Sequence, residues 1–126
     1  MSETTPVASV AMVTIDCADA TELATFYSQL LGMTIAYQDD NVAMITGESG
    51  PAFGFGTVDN FTPPPWPDEK SQKQFHLDLK VDDITVAEAA CQELGATRPE
   101  FQPGGDRWRV MLDPAGHPFC LTLWQG

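Results

Sequence analysis

Two helix signals of the same design lie 64 residues apart in a chain of 126, and this repeat limits the possible folds more than any other feature. Asp19-Ala-Thr-Glu22 is an Asp-x-x-Glu capping box, in which the Asp19 carboxylate accepts from an exposed amide and Glu22 reaches back to close the turn. Leu23, Phe26, Tyr27, Leu30 and Leu31 follow at i, i+3, i+4, i+7 and i+8, and Gly32 supplies a left-handed stop. In the second half Asp82-Asp83 starts a helix with Ile84, Ala87, Cys91 and Leu94 on one face and Gly95 as its stop. Starts at Asp19 and Asp83 and stops at Gly32 and Gly95 divide the chain into two copies of one supersecondary unit.

Strand signals complete each copy. Val10 to Asp16 alternates, with Ala11, Val13 and Ile15 on one face and Met12, Thr14 and Asp16 on the other. After the first helix, 33–37, 42–46 and 52–58 read as a three-strand meander separated by polar and glycine turns. In the second half strands are expected at 75–81, 97–101, 107–112 and 118–124. Between the halves, Pro63, Pro64, Pro65 and Pro67 surround Trp66, and prolines this dense cannot donate to a sheet ladder. The expectation is an α+β fold of two β-α-β-β-β modules, about 8–58 and 75–124, joined by a proline-rich loop at 59–73 within one domain, 1–126. Their strands would form a curled mixed sheet around a shared cleft.

A net charge of -12 repels phosphate backbones and anionic membrane surfaces, so nucleic acid is not an expected partner. No apolar run reaches the ~18 residues of a membrane span, and the first residues lack the basic flank of a signal peptide. Cys17, Cys91 and Cys120 are odd in number and widely spaced, which argues for reduced thiols rather than a disulfide framework or zinc knuckle. These features predict a cytoplasmic protein.

Alternation along Phe75-His-Leu-Asp-Leu-Lys-Val81 sets Phe75, Leu77, Leu79 and Val81 toward a core and leaves His76, Asp78 and Lys80 on the other face. That polar face reads equally as a site wall or, at Asp78 and Lys80, as a solvated ion pair. Gly54 and Gly56 alternate with Phe53 and Phe55, so their missing side chains fall on the cleft face and leave room there. Thr122 and Trp124 share the register of Cys120, while Phe61, Trp66 and Trp108 could close over a flat ligand or serve as packing or dimer contacts.

With these residues in view the chain resembles the vicinal oxygen chelate superfamily, which includes glyoxalase I, bleomycin-resistance proteins and extradiol dioxygenases, and within it a glyoxalase-like subgroup. The matching stretches are Asp19 through Phe26-Tyr27 and Leu30-Leu31-Gly32-Met33, His76 through Asp83, and Asp113-Pro-Ala-Gly-His-Pro-Phe119. The resemblance implies that a metal enzyme of this type would carry one ligand on the first and one on the last strand of each module. Those places hold Met12 and His76, and Gly54 and Cys120. Only His76 suits a hard cation, and Cys120 is a soft ligand. A Cys120–His76 nucleophile is a further reading, set against Cys120 as a small core residue.

The reading that follows is metal-free binding of a small flat or aromatic molecule. Its expected contacts are His76, Met12, Asp16, Asp78, Cys120, Thr122, Trp124, Gly54, Trp66 and Trp108. No catalytic residue and no cofactor is assigned, and a homodimer is expected because clefts in this superfamily are commonly completed by a second chain. The alternative is a divalent-metal lyase or isomerase with a non-standard ligand set, His76 joined by Asp16, Asp78 or a residue of a second chain.

Overall fold

The first module runs β1 (Met12–Cys17), α1 (Ala20–Leu31), β2 (Thr34–Gln38), β3 (Val42–Thr46) and β4 (Ala52–Thr57). The second runs β5 (Leu77–Lys80), α2 (Ile84–Leu94), β6 (Trp108–Leu112) and β7 (Pro118–Thr122). The computed structural model describes residues 6, 7, 9–68, 70 and 75–123, so Trp124 and part of the proline-rich loop lie outside the described residues. The α+β class and the two repeated modules are as expected from the repeat. Their strands form two separate mixed sheets, in orders β1-β4-β3-β2 and β5-β7-β6.

Both helices start and stop where the sequence signals stand. Asp19 and Asp83 are extended N-caps whose carboxylates accept from the backbone amides of Glu22 and Val86. Gly32 and Gly95 end the helices at φ 68° and 117°, a left-handed backbone that a side chain would strain.

One expected strand is nearly absent. Instead of pairing over 97–101, the chain makes a single bridge from Thr97 to Leu112. Pro99 has no amide proton to give a ladder. Gln102 takes over the pairing with its side chain, whose Nε2 donates to the carbonyls of Pro99 and Val110 and whose Oε1 accepts from the Val110 amide. Phe75 also departs from its expected core position and is fully exposed, because pairing with β7 starts only at Leu77.

Each sheet turns one face to the helices. Ala43, Ile45 and Phe55 from the first sheet and Met111, Phe119 and Leu121 from the second join Leu23, Phe26, Tyr27 and Cys91 in one buried cluster. The Tyr27 ring lies parallel to Phe55 at 5.7 Å and edge-on to Phe119 at 6.2 Å, so one helical residue packs on both modules. Its hydroxyl donates to the buried Asp113 carboxylate at 2.7 Å. Asp113 also accepts from the amides of Ala115 and His117, which fixes the turn before β7. His117 Nε2 in turn donates to the Asp16 carbonyl at 2.6 Å, a second tie between the modules.

Candidate functional site

The sheet faces turned away from the helices carry the candidate residues. On the second sheet, His76 stands just before β5, Asp78 follows two residues on, and Cys120 lies opposite Asp78 in parallel register. Alternation puts all three on one face. His76 Nε2 is 3.3 Å from Asp78 Oδ1, and one donor atom from each of His76, Asp78 and Cys120 lies within 4.8 Å of the others. The His76 side chain is 12% exposed and that of Asp78 63%, so the group runs from a buried thiol to a solvent-facing carboxylate.

Aromatic rings close this face. Trp66, from the proline-rich loop, stacks on His76 at 5.5 Å and 29° and packs with Val110, Cys120 and Trp108. Trp108 depends on Gly104, because a Cβ there would stand 2.5 Å from the indole. The Arg107 guanidinium lies 4.8 Å over the Trp108 ring, a cation–π contact. Thr122, half-buried, pairs in register with both Lys80 and Trp108. Trp124 was expected to join this wall and lies outside the described residues.

The first sheet collects Met12, Asp16 and Gly54. Thr14 pairs with Gly54 as Asp78 pairs with Cys120, so the register matches Met12 to His76 and Gly54 to Cys120. The room expected at Gly54 is taken up inside the protein: a Cβ there would meet Met12 Sδ at 2.9 Å and Thr14 Oγ1 at 3.3 Å. Asp16 directs its side chain toward Gly56 and its carbonyl to His117. Phe61, expected beside Trp66 and Trp108, packs against His117 at 5.3 Å. Among the described residues no strand of one sheet pairs with a strand of the other, so the His76 group and the Met12 group stand on different sheets.

The metal of the superfamily can be tested against these donors. A thioether at Met12, no side chain at Gly54 and a thiol at Cys120 leave His76 alone to suit a magnesium-like or iron-like cation. The residues do not fit that group. The other two thiols are chemically quiet: burial pushes Cys17 up to about 11 and raises Cys91 as well, which keeps both protonated near neutrality.

Two residues of the site left little trace in the sequence. Val110 shares the period-two face of Trp108 and was open to that inference. Gly104 carried no signal, because only the folded loop brings it against the indole.

Residues 12–122 match the profile of the family described as "Glyoxalase-like domain". Among solved structures, a glyoxalase-related enzyme from Fulvimarina pelagi is similar at 18% identity, with 90% of this chain and 86% of that one covered and a TM-score of 0.63. A lactoylglutathione lyase from Agrobacterium tumefaciens matches at 15% identity over 97% and 100%, with a TM-score of 0.61. The bleomycin-binding protein of Streptomyces verticillus, solved with copper(II)-bleomycin, matches at 12% identity over 96% and 100%, with a TM-score of 0.57. Likeness at these identities concerns the fold. No curated protein matches by sequence.

Proposed function

The chain belongs to the glyoxalase-like family of the glyoxalase/bleomycin resistance/dioxygenase group, and from that premise we propose that it binds a small flat or aromatic molecule without a metal. The observation that supports this is the stacked Trp66–His76 pair beside Trp108 and Cys120. Rings of this kind take planar ligands by offset stacking, worth about 0.5–1.5 kcal/mol per pair beyond area burial. The bleomycin-binding relative lends support, since its fold is shared and it holds an organic ligand. The poor match of Met12 and Gly54 to a hard cation favours stacking over chelation.

A thermal-shift and tryptophan-fluorescence screen of planar heteroaromatic compounds tests the reading on chelator-treated protein. At least one class should raise Tm and quench emission, and Trp66→Ala or Trp108→Ala should weaken it on the order of tenfold. Binding that survives both substitutions, or a screen with no hit, would overturn the proposal.

A homodimer is proposed with it. Met12, Tyr37 and Val42 are exposed apolar residues that share the outward face of the first sheet by register, Met12 at 42%. The outer edges of β1 and β5 pair with no strand among the described residues. A second copy laid along them would bring the two separate faces together around one cleft. Light scattering should give twice the chain mass, falling to one chain in Met12→Glu/Val42→Glu. No helix among the described residues is long and apolar enough to cross a membrane. Three buried cysteines without a disulfide among them favour a reducing, cytoplasmic setting.

A further inference from the structure

We propose that the groove between the two helices is a second binding site, for a small organic cation that carries a primary ammonium on an apolar body. The groove lies on the helix side of the sheets, whereas Trp66 and His76 stand on the face turned away from the helices.

Both modules build its walls. On α1, Glu22, Thr25, Phe26 and Gln29 share one face at i, i+3, i+4 and i+7. The other wall is Leu94 and Gly95, the last residue and the C-cap of α2, with Pro114 from the turn before β7. The groove holds about 390 Å³, within the roughly 300–1,000 Å³ of small-molecule sites.

The polar atoms select the charge of the occupant. Glu22 does not reach back to the Asp19 amide as the capping-box pattern predicts; only the Asp19 half of the box forms. Among the described residues its carboxylate makes neither hydrogen bond nor ion pair. Thr25 donates its hydroxyl proton to the Thr21 carbonyl at 2.9 Å, which leaves its oxygen an acceptor, and Gln29 adds an amide oxygen. The C-terminal end of α2 carries partial negative charge, and no basic residue stands in its last turn to offset it. No lysine or arginine lines the groove, and residues 1–69 contain none, so no cation of the first module competes for these acceptors. A primary ammonium offers three donors to the oxygens of Glu22, Thr25 and Gln29, while Phe26, Leu94 and Pro114 take the apolar body. An anion would be repelled by Glu22 and by the end of α2, and a neutral molecule gains nothing from either charge.

This site goes beyond the proposed stacking of a flat ligand and does not rest on it. Cyclohexylmethylammonium, whose ring is not planar, is the probe that separates the two, titrated into the full chain at low salt and followed by amide correlation spectra. Saturable shifts should appear at the Leu94 and Gly95 amides and persist in Trp66→Ala. The melting temperature should rise with probe concentration, because walls drawn from both modules exist only in the folded chain. Cyclohexylmethanol should bind about fivefold more weakly, and Glu22→Gln should bring the ammonium down to the level of the alcohol. Thr25→Trp, which fills the groove, should abolish the saturable response. Circular dichroism establishes folding, and if Glu22→Gln fails to fold, Thr25→Trp and the alcohol decide. No saturable shift at Leu94 and Gly95, equal affinity for the alcohol, or affinity unchanged in Glu22→Gln would overturn the site. A failed screen of planar compounds leaves these outcomes as they are, so the two proposals fail separately.

Discussion

Asp113 is a charged residue buried in the fold. Burial raises its carboxyl above the ordinary range, and the Tyr27 hydroxyl, the amides of His117 and Ala115, and the His117 ring pull it back. Unfolded, the group titrates near about 4. Between that value and its raised folded one, the folded chain keeps a proton that the unfolded chain has lost, so this contribution to stability falls as pH rises through the window. Urea melts across that range should show the wild type losing ground to Asp113→Asn with increasing pH. Tyr27→Phe should cost about 1–3 kcal/mol, because it leaves a buried carboxylate short of a donor. It should also steepen the decline, since the hydroxyl is the strongest of the influences lowering the Asp113 pKa.

At the scale of elements, the two caps and the Gln102 clasp carry separable shares. Asp19→Ala and Asp83→Ala should each cost about 1 kcal/mol and add nearly independently, read as shifts of the urea midpoint at constant m. Gln102→Ala removes three bonds, two of them to the outer edge of β6, and should cost about 1–3 kcal/mol. Amide exchange at Val110 should quicken in that variant while β1 to β4 keep their protection. Both helices and most strands were legible because capping boxes, glycine stops and alternation act over a few residues. The strand expected at 97–101 is reduced to one bridge because Pro99 denies the ladder a donor and the Gln102 side chain substitutes for it.

Across the whole molecule, one core shared by two modules predicts one transition. Phe119, packed on both Phe26 and Tyr27, joins β7 to α1, so Phe119→Ala should cost about 3–5 kcal/mol and lower the stability of both modules together. Near-ultraviolet and far-ultraviolet signals should still melt in a single coincident step.

What the sequence determined by itself is the repeat: its helices, its register of Met12 against His76, and the polar face at His76 and Asp78. These follow from local periodicity and from spacing along the chain. Tertiary structure alone decided that Trp66 covers His76, that Met12 fills the room at Gly54, that Gly104 seats Trp108, and that Asp78 rather than a first-module residue joins His76 and Cys120. Each of those contacts is set by how loops and sheets pack, and periodicity carries no record of them.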